Sequence, residues 1–243
     1  LLVLCFAILA VLGVPIAVSL GIASIVVMLL QPTFPLITVA QRMITGVDSY
    51  VLISVPLFML AGSLMNEGGI TDRIFWFARA LCGHIRGGLG HVNVVGSMIF
   101  AGMSGSAVAD AGGLGQVEIK AMNDQGFPPD FSAAITCASS AIGPIIPPSI
   151  PMLIYAAIAE VSPGKLFLAG FVPGVLMGIA LMIAILILSF FNEYPRDPRS
   201  TLRQIAKSFA DAFLCLLTPL IIMGGIMSGI FTPTEASAVA AVY

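Results

Sequence analysis

Charge is scarce in this chain. Lys, Arg, Asp and Glu make up 9% of its 243 residues, while hydrophobic residues make up 58%. Soluble domains carry about 25% charged residues, so an ordinary water-soluble fold is excluded and a mean hydropathy of +1.07 indicates an integral membrane protein. The net charge of −2 says little about partners, because the few charges sit at segment ends, and no basic patch suggests nucleic acid. Cys5, Cys82, Cys137 and Cys215 stand far apart in apolar surroundings with no CxxC pair. They are expected to be small hydrophobes rather than a disulfide or metal framework. Histidine is nearly absent: His84 and His91, seven residues apart in a Gly/Arg-rich stretch, suit a loop better than a metal pair. There is no initiating Met, no charged leader precedes the first apolar run, and the chain stops inside an apparent helix, so both ends are expected to be cut.

Hydrophobic runs are present in abundance. A span needs about 20 apolar residues, which predicts spans over about 1–30 (kinked at Gly13-Val14-Pro15), 50–66, 166–191 and 212–231, the last containing Pro219. Two segments do not fit simple spans. Ten of the 25 glycines fall between Gly83 and Gly115, and the apolar run 92–101 is too short to cross before it breaks into Gly102-Met103-Ser104-Gly105-Ser106. The region 130–159 is apolar but split by Pro144, Pro147, Pro148 and Pro151, which remove donors and clash with the preceding turn.

The few charges predict topology. Arg73, Arg79 and Arg86 lie between 66 and 91, and Arg196, Arg199, Arg203 and Lys207 between 192 and 211. The positive-inside rule puts both loops in the cytoplasm; the sparse loops 31–49 and 160–165 then face the other side. The count closes only if about 91–126 is a re-entrant hairpin that returns to the cytoplasmic side, leaving the broken helix 130–159 to cross. Segments 70–83 and 200–211 suit amphipathic interfacial helices, the first anchored by Phe75, Trp76 and Phe77. An internal echo is also present. Pro56-Leu57, Gly62, Met65 and Gly69-Ile70-Thr71 match Pro219-Leu220, Gly225, Ser228, Gly229-Ile230 and Thr232, running in opposite senses through the membrane. Inverted repeats of this kind build many secondary transporters.

Backbone opened at membrane depth is tolerated only where it lines a cavity or is buried in protein. The tip 102–106 and the end of the first half-helix near Ser139-Ser140-Ala141-Ile142-Gly143 offer carbonyls and hydroxyls, hard ligands for a hard cation. Gly102, Ser104, Ser106, Ser140 and Gly143 are the candidate Na⁺ ligands. The second half-helix begins near Pro147-Pro148-Ser149, and its free N–H groups, with those of Ser104, Gly105 and Ser106, would attract a carboxylate. Asp110 either edges this cavity or caps a helix over 111–125.

Two other functional classes compete. Gly102-Met103-Ser104-Gly105 matches the GxSG around the nucleophile of rhomboid-type serine proteases, but no histidine follows it to act as base. A channel-like pore subunit would differ by uncoupled conductance.

The motifs Pro56–Gly62, Asn66-Glu67-Gly68-Gly69-Ile70, Gly87-Gly88-Leu89, Gly102–Gly115, Gly143–Pro151 and Thr232-Pro233-Thr234-Glu235-Ala236 together resemble the large membrane (DctM-type) subunit of tripartite ATP-independent periplasmic (TRAP) transporters. The resemblance implies an all-α, multi-span bundle of the bacterial inner membrane, an elevator-type inverted-repeat fold that is not an enzyme. It divides the chain into a first repeat, 1–191, a connector, 192–211, and a truncated opening of the second repeat, 212–243. It further implies Na⁺ as coupling ion with no other cofactor, and an organic acid such as a C4-dicarboxylate or sialic acid as substrate. The implied partners are a small DctQ-type membrane subunit, a DctP-type periplasmic binding protein and membrane lipid. The second hairpin and second broken helix that the resemblance implies have no counterpart within these residues, so half of the cavity is expected to lie outside them.

Overall fold

Proline, glycine and capping hydroxyls decide where the helices begin and end in this protein. The computed structural model describes residues 1–30, 35 and 37–243. Their regular structure is all helical, with no strand among the described residues, and they fall into two compact units, Leu1–Ser49 and Tyr50–Tyr243.

In the first unit the predicted span over 1–30 is two helices, α1 (Leu2–Val11) and α2 (Ile16–Leu30). They part at Gly13, whose φ of +79° only glycine adopts easily, followed by Pro15. Each helix alone is shorter than a span. The expected loop 31–49 is corrected in part: α3 (Ile37–Val47) is helical, because Ile37, Ala40, Ile44 and Val47 recur at helical spacing. Its residues 31–34 and 36 lie outside the described residues.

The second unit holds the other ten helices. A 3₁₀ turn (Tyr50–Ile53) leads into α4 (Ser54–Glu67), and together they are long and apolar enough to span. Next comes α5 (Ile70–Cys82), amphipathic as predicted. Phe75 nevertheless faces the protein core, Phe77 is half-buried against Phe209, and Trp76 stays 56% exposed. The glycine-rich region gives α6 (Gly88–Ser104), α7 (Ala107–Gly112) and α8 (Leu114–Asp124). The chain reverses at Gly105 (φ +61°), and α7 and α8 pack back on α6. The proline-split segment gives α9 (Pro129–Ser140) and α10 (Ile150–Ala159), with irregular backbone between them.

Two long helices follow, α11 (Pro163–Phe191) and α12 (Leu202–Met227), both long and apolar enough to span, and then α13 (Pro233–Val242). The expected interfacial helix 200–211 and the span 212–231 are one continuous helix. Thr201 and Gln204 form a capping box at its start, no glycine or proline interrupts it before Pro219, and Met227 ends it.

Two apolar clusters hold this unit together. One joins Ile74, Leu89, Phe100, Met103, Leu114 and Met122 of α5, α6 and α8. The other joins Phe58, Leu153, Phe167, Ile222 and Ala236 of α4, α10, α11, α12 and α13. The polar segment before α12 is pinned to the bundle. Arg79 donates from Nε to Asp197 Oδ2 at 2.7 Å, Gln125 donates to Oδ1 at 2.8 Å, and Tyr194 stacks on Phe131 with ring centroids 4.6 Å apart. The Arg79 bond holds the Asp197 carboxyl below the usual carboxylate range, against the opposing effect of partial burial.

Candidate functional site: the hairpin tip and the proline break

The two places where the sequence breaks its own helices meet in space. At the tip, α6 ends at Ser104, and Gly105 turns the chain in the left-handed region. A side-chain carbon at Gly105 would collide with the Pro148 carbonyl oxygen, so glycine lets the two backbones touch. Ile150 N–H, the first of the new helix, donates to the Gly105 carbonyl at 3.3 Å. On the other side of the tip, a side-chain carbon on Gly143 would lie 3.1 Å from the Ser106 carbonyl carbon and 3.2 Å from the Ala107 nitrogen.

Caps fix both half-helices. Ser149 Oγ accepts from Met152 N–H at 3.3 Å and donates to the Pro144 carbonyl at 2.5 Å. This is the expected serine cap, with Pro151 in the first turn and the cis-linked Pro147-Pro148 just before it. Ser106 Oγ accepts from Ala109 N–H at 3.4 Å and caps α7. Asp110 therefore does not cap the following helix: it lies inside α7, 1% exposed, and Gly113 separates α7 from α8.

The remaining predicted residues are distributed around this junction. Gly102 faces Pro219 of α12, whose Cβ would be 3.0 Å from a carbon at that position, and lies near the Pro147 carbonyl. Ser104 packs against Gly62 of α4, and its buried hydroxyl has no hydrogen-bond partner. Ser140 donates to the Thr136 carbonyl at 2.7 Å and lies beside Asp110. The structure thus joins Gly105 with Pro148, and Ser106 with Gly143, while Ser104 and Ser140 flank that junction on separate elements. A mostly apolar groove of about 390 Å³ reaches it, lined by Gly102, Pro147, Phe171, Phe213 and Pro219.

A polar seam behind the tip escaped the sequence reading. Asn93 Nδ2 donates to Thr136 Oγ1 at 2.7 Å, and Thr136 passes its own proton to the Ser132 carbonyl at 2.8 Å. Ser97 donates to Ser139 Oγ at 3.1 Å, and Ser139 to Asn93 Oδ1 at 2.6 Å. Glu118 of α8 is equally buried, pressed against Gly96. The available signal was spacing: Asn93 with Ser97, and Ser132 with Thr136 and Ser140, recur every four residues on otherwise apolar helices.

His91 is not a loop residue. It is buried in α6 with Nε2 3.1 Å from the Arg86 carbonyl. Thirteen residues separate it from Ser104 along one helix, roughly 20 Å at 1.5 Å per residue, so it cannot act as base for that serine. The four cysteines are free, and no cluster of three or more His, Cys, Asp or Glu side chains occurs among the described residues.

Residues 3–243 match the family model described as "Tripartite ATP-independent periplasmic transporter, DctM component". The chain is 50% identical over 231 residues to the sialic acid TRAP transporter permease protein SiaT of Haemophilus influenzae, covering 95% of this chain and 38% of that protein. It is 49% identical over 231 residues to the sialic acid TRAP transporter large permease protein SiaM of Vibrio cholerae, covering 95% and 54%. The C4-dicarboxylate TRAP transporter large permease protein DctM of Pseudomonas aeruginosa is 44% identical over 225 residues, covering 93% and 53%. The chain spans about half or less of the length of these relatives. By this match and by its three span-length apolar helices, it belongs to the DctM family of TRAP transporter permeases, inner-membrane proteins that are not enzymes.

Proposed function

We propose that this chain forms the first half of a TRAP large permease that imports a carboxylate with Na⁺, together with a small membrane subunit and a periplasmic binding protein. The observation that carries the reading is the direct contact of the two breaks, Gly105 against Pro148 and Ile150, and Ser106 against Gly143. Carbonyl ends and N–H ends of half-helices are brought to one point, which suits a cation and an anion bound side by side.

Gly102, Ser104, Ser106, Ser140 and Gly143 are assigned to the Na⁺. Ser104, Gly105, Ser106, Pro147, Pro148 and Ser149 are assigned to the substrate carboxylate, with the second repeat supplying the opposite wall. The unpartnered Ser104 hydroxyl supports a ligand at the tip. Two relatives named for sialic acid are 49% and 50% identical, whereas two named for C4-dicarboxylates are 43% and 44% identical. Sialic acid is therefore the first substrate to assay.

In this reading α6 to α8 form the re-entrant hairpin, and the arginine-bearing segments face the cytoplasm. The inverted-repeat assignment has support in Gly69 and Gly229, equivalent positions of the two copies, which both take positive φ (+72° and +73°). An elevator movement of the unit that carries the site would give alternating access.

The test is uptake into proteoliposomes containing the complete permease, its small partner and its binding protein. Uptake is expected to collapse when Na⁺ is replaced by choline, and undiminished uptake overturns the coupling. Replacing Ser104 and Ser106 together by Ala is expected to raise the Na⁺ concentration needed for half-maximal uptake; unchanged activation by Na⁺ assigns both serines to packing.

A further inference from the structure

The deepest part of the hairpin holds two carboxylates that the proposed function does not use. Asp110 and Glu118 are each 1% exposed, and none of their four oxygens has a hydrogen-bond partner. They are close enough for their like charges to repel. No Lys, Arg or His among the described residues faces them. Lys120, the basic residue of α8, lines a separate groove on the opposite face of the helix with Asp72, Arg79 and Asp124. His91 faces the Arg86 carbonyl instead.

The hydroxyls beside the pair make the imbalance sharper. Ser97 and Ser140 lie against Asp110, yet neither forms an aligned hydrogen bond to it. Their protons point elsewhere, Ser97 to Ser139 and Ser140 to the Thr136 carbonyl. Ser139 in turn donates to Asn93, and Asn93 and Thr136 donate onward to Thr136 and Ser132. The Ser97 and Ser140 hydroxyls are thus each engaged with another acceptor. Asp110 and Glu118 bury four carboxylate oxygens that no aligned donor satisfies, with the Ser97 and Ser140 oxygens beside Asp110. At Gly96 a side-chain carbon would lie 2.7 Å from Glu118 Oε1, so the glycine leaves room for that carboxylate against the backbone of α6.

Uncompensated charge in such a place costs far more than a folded protein can absorb. Oxygen-only coordination without sulfur or imidazole is the ligand set of hard cations. We propose that Asp110 and Glu118, with the lone pairs of Ser97 and Ser140, form a hard-cation site in the core of the hairpin, separate from the tip. The ion is of the alkali or alkaline-earth class and ties α7 and α8 to α6 and α9. Because Ser140 also belongs to the ligand set assigned at the tip, occupancy of the inner site would hold the tip in shape. The inference stands on the carboxylates alone and does not depend on the transport reading.

The experiment is thermal unfolding of the full-length permease in nanodiscs, titrated separately with Na⁺, K⁺, Mg²⁺ and Ca²⁺. A cation that binds the native state raises the transition with concentration, and Glu118→Gln or Asp110→Asn is expected to shift that dependence at least about tenfold to higher concentration. Whether the responding ions are monovalent or divalent decides between the two classes. The Ser104/Ser106 double alanine variant is expected to keep the Glu118-sensitive response, which separates this site from the tip.

Titrations of both single variants that superimpose on the wild type overturn the proposal. So does an infrared protonated-carboxyl band removed by Glu118→Gln, because a proton would then neutralise the pair. If neither variant folds, anomalous diffraction from the wild-type protein with Tl⁺ or Sr²⁺ decides. A peak bonded to both carboxylates supports the site, and no peak there with either ion overturns it.

Discussion

Helices α6 and α11 are both apolar, yet they sit in opposite environments. Of the 17 residues of α6, 14 are buried; of the 29 of α11, only Phe167, Gly170, Gly174, Gly178 and Ile185 are. The more hydrophobic helix is the exposed one. Leu168, Phe171, Leu176, Ile183 and Ile187 of α11 point outward, where lipid provides an apolar solvent. Its inward stripe is mostly glycine at four-residue intervals, against which Met152, Ile146 and Met98 pack. The interior face of α6 carries Asn93 and Ser97 instead, each satisfied by α9. In a membrane protein, smallness and polarity mark the inside, because lipid accepts aliphatic groups as readily as the core does while it satisfies no hydrogen bond.

The largest way to break this contrast is Gly178→Leu. A side-chain carbon there collides with the Met98 sulfur, wedging α11 from α6, and overpacking of about 1–3 kcal/mol or more is expected as a lowered thermal transition of the purified permease. Asn93→Leu comes next. It removes one of the two acceptors of Ser139, leaving the Thr136 carbonyl, and strips Thr136 of a donor in the buried seam, an expected loss of about 1–3 kcal/mol, whereas Asn93→Asp should fail differently by adding charge to the same face. An unfolding transition equal to the wild type after Asn93→Leu would make the seam incidental.

Smaller effects are expected at the edges. Asp197 has its carboxyl held below the usual range by Arg79, so its contribution is present above the unfolded value of about 3.9 and is lost as pH falls through the lower folded value. The pair is partly exposed, so the loss stays within about 1 kcal/mol, detectable as faster hydrogen exchange over residues 194–200 in acid or in Asp197→Asn. The smallest effect belongs to the lipid face: Leu176→Ala on α11 should change stability by less than about 0.5 kcal/mol. A large loss there would mean that a partner, not lipid, covers that side.

The helix breaks were legible in the sequence because they are local events. Gly13-Val14-Pro15, Gly105 and the prolines between 144 and 151 forbid continuous helix by their own backbone chemistry, and Ser149 announces itself as a cap. Other features were not legible. The polar residues 200–211 suggested a helix lying on the membrane surface, but nothing local ends it, so α12 runs straight on into the span. Asp110 suited either the cavity edge or a helix cap; Ser106, four residues earlier, takes the capping role. Glu118 gave no warning, since one acid in the middle of 114–124 suits a solvated face as well as a buried one.

By itself the sequence determined a membrane-embedded helical chain with two broken segments and the residues at each break. Composition dictates the solvent, and proline and glycine dictate where hydrogen-bonded turns must stop. Only the tertiary structure decided that the two breaks touch, Gly105 on Pro148 and Ser106 on Gly143, and that Asp110 and Glu118 share one interior. Those pairings join residues far apart in the chain or on opposite sides of a kink. They depend on which helix faces meet, a choice made by packing across elements that no local sequence signal records.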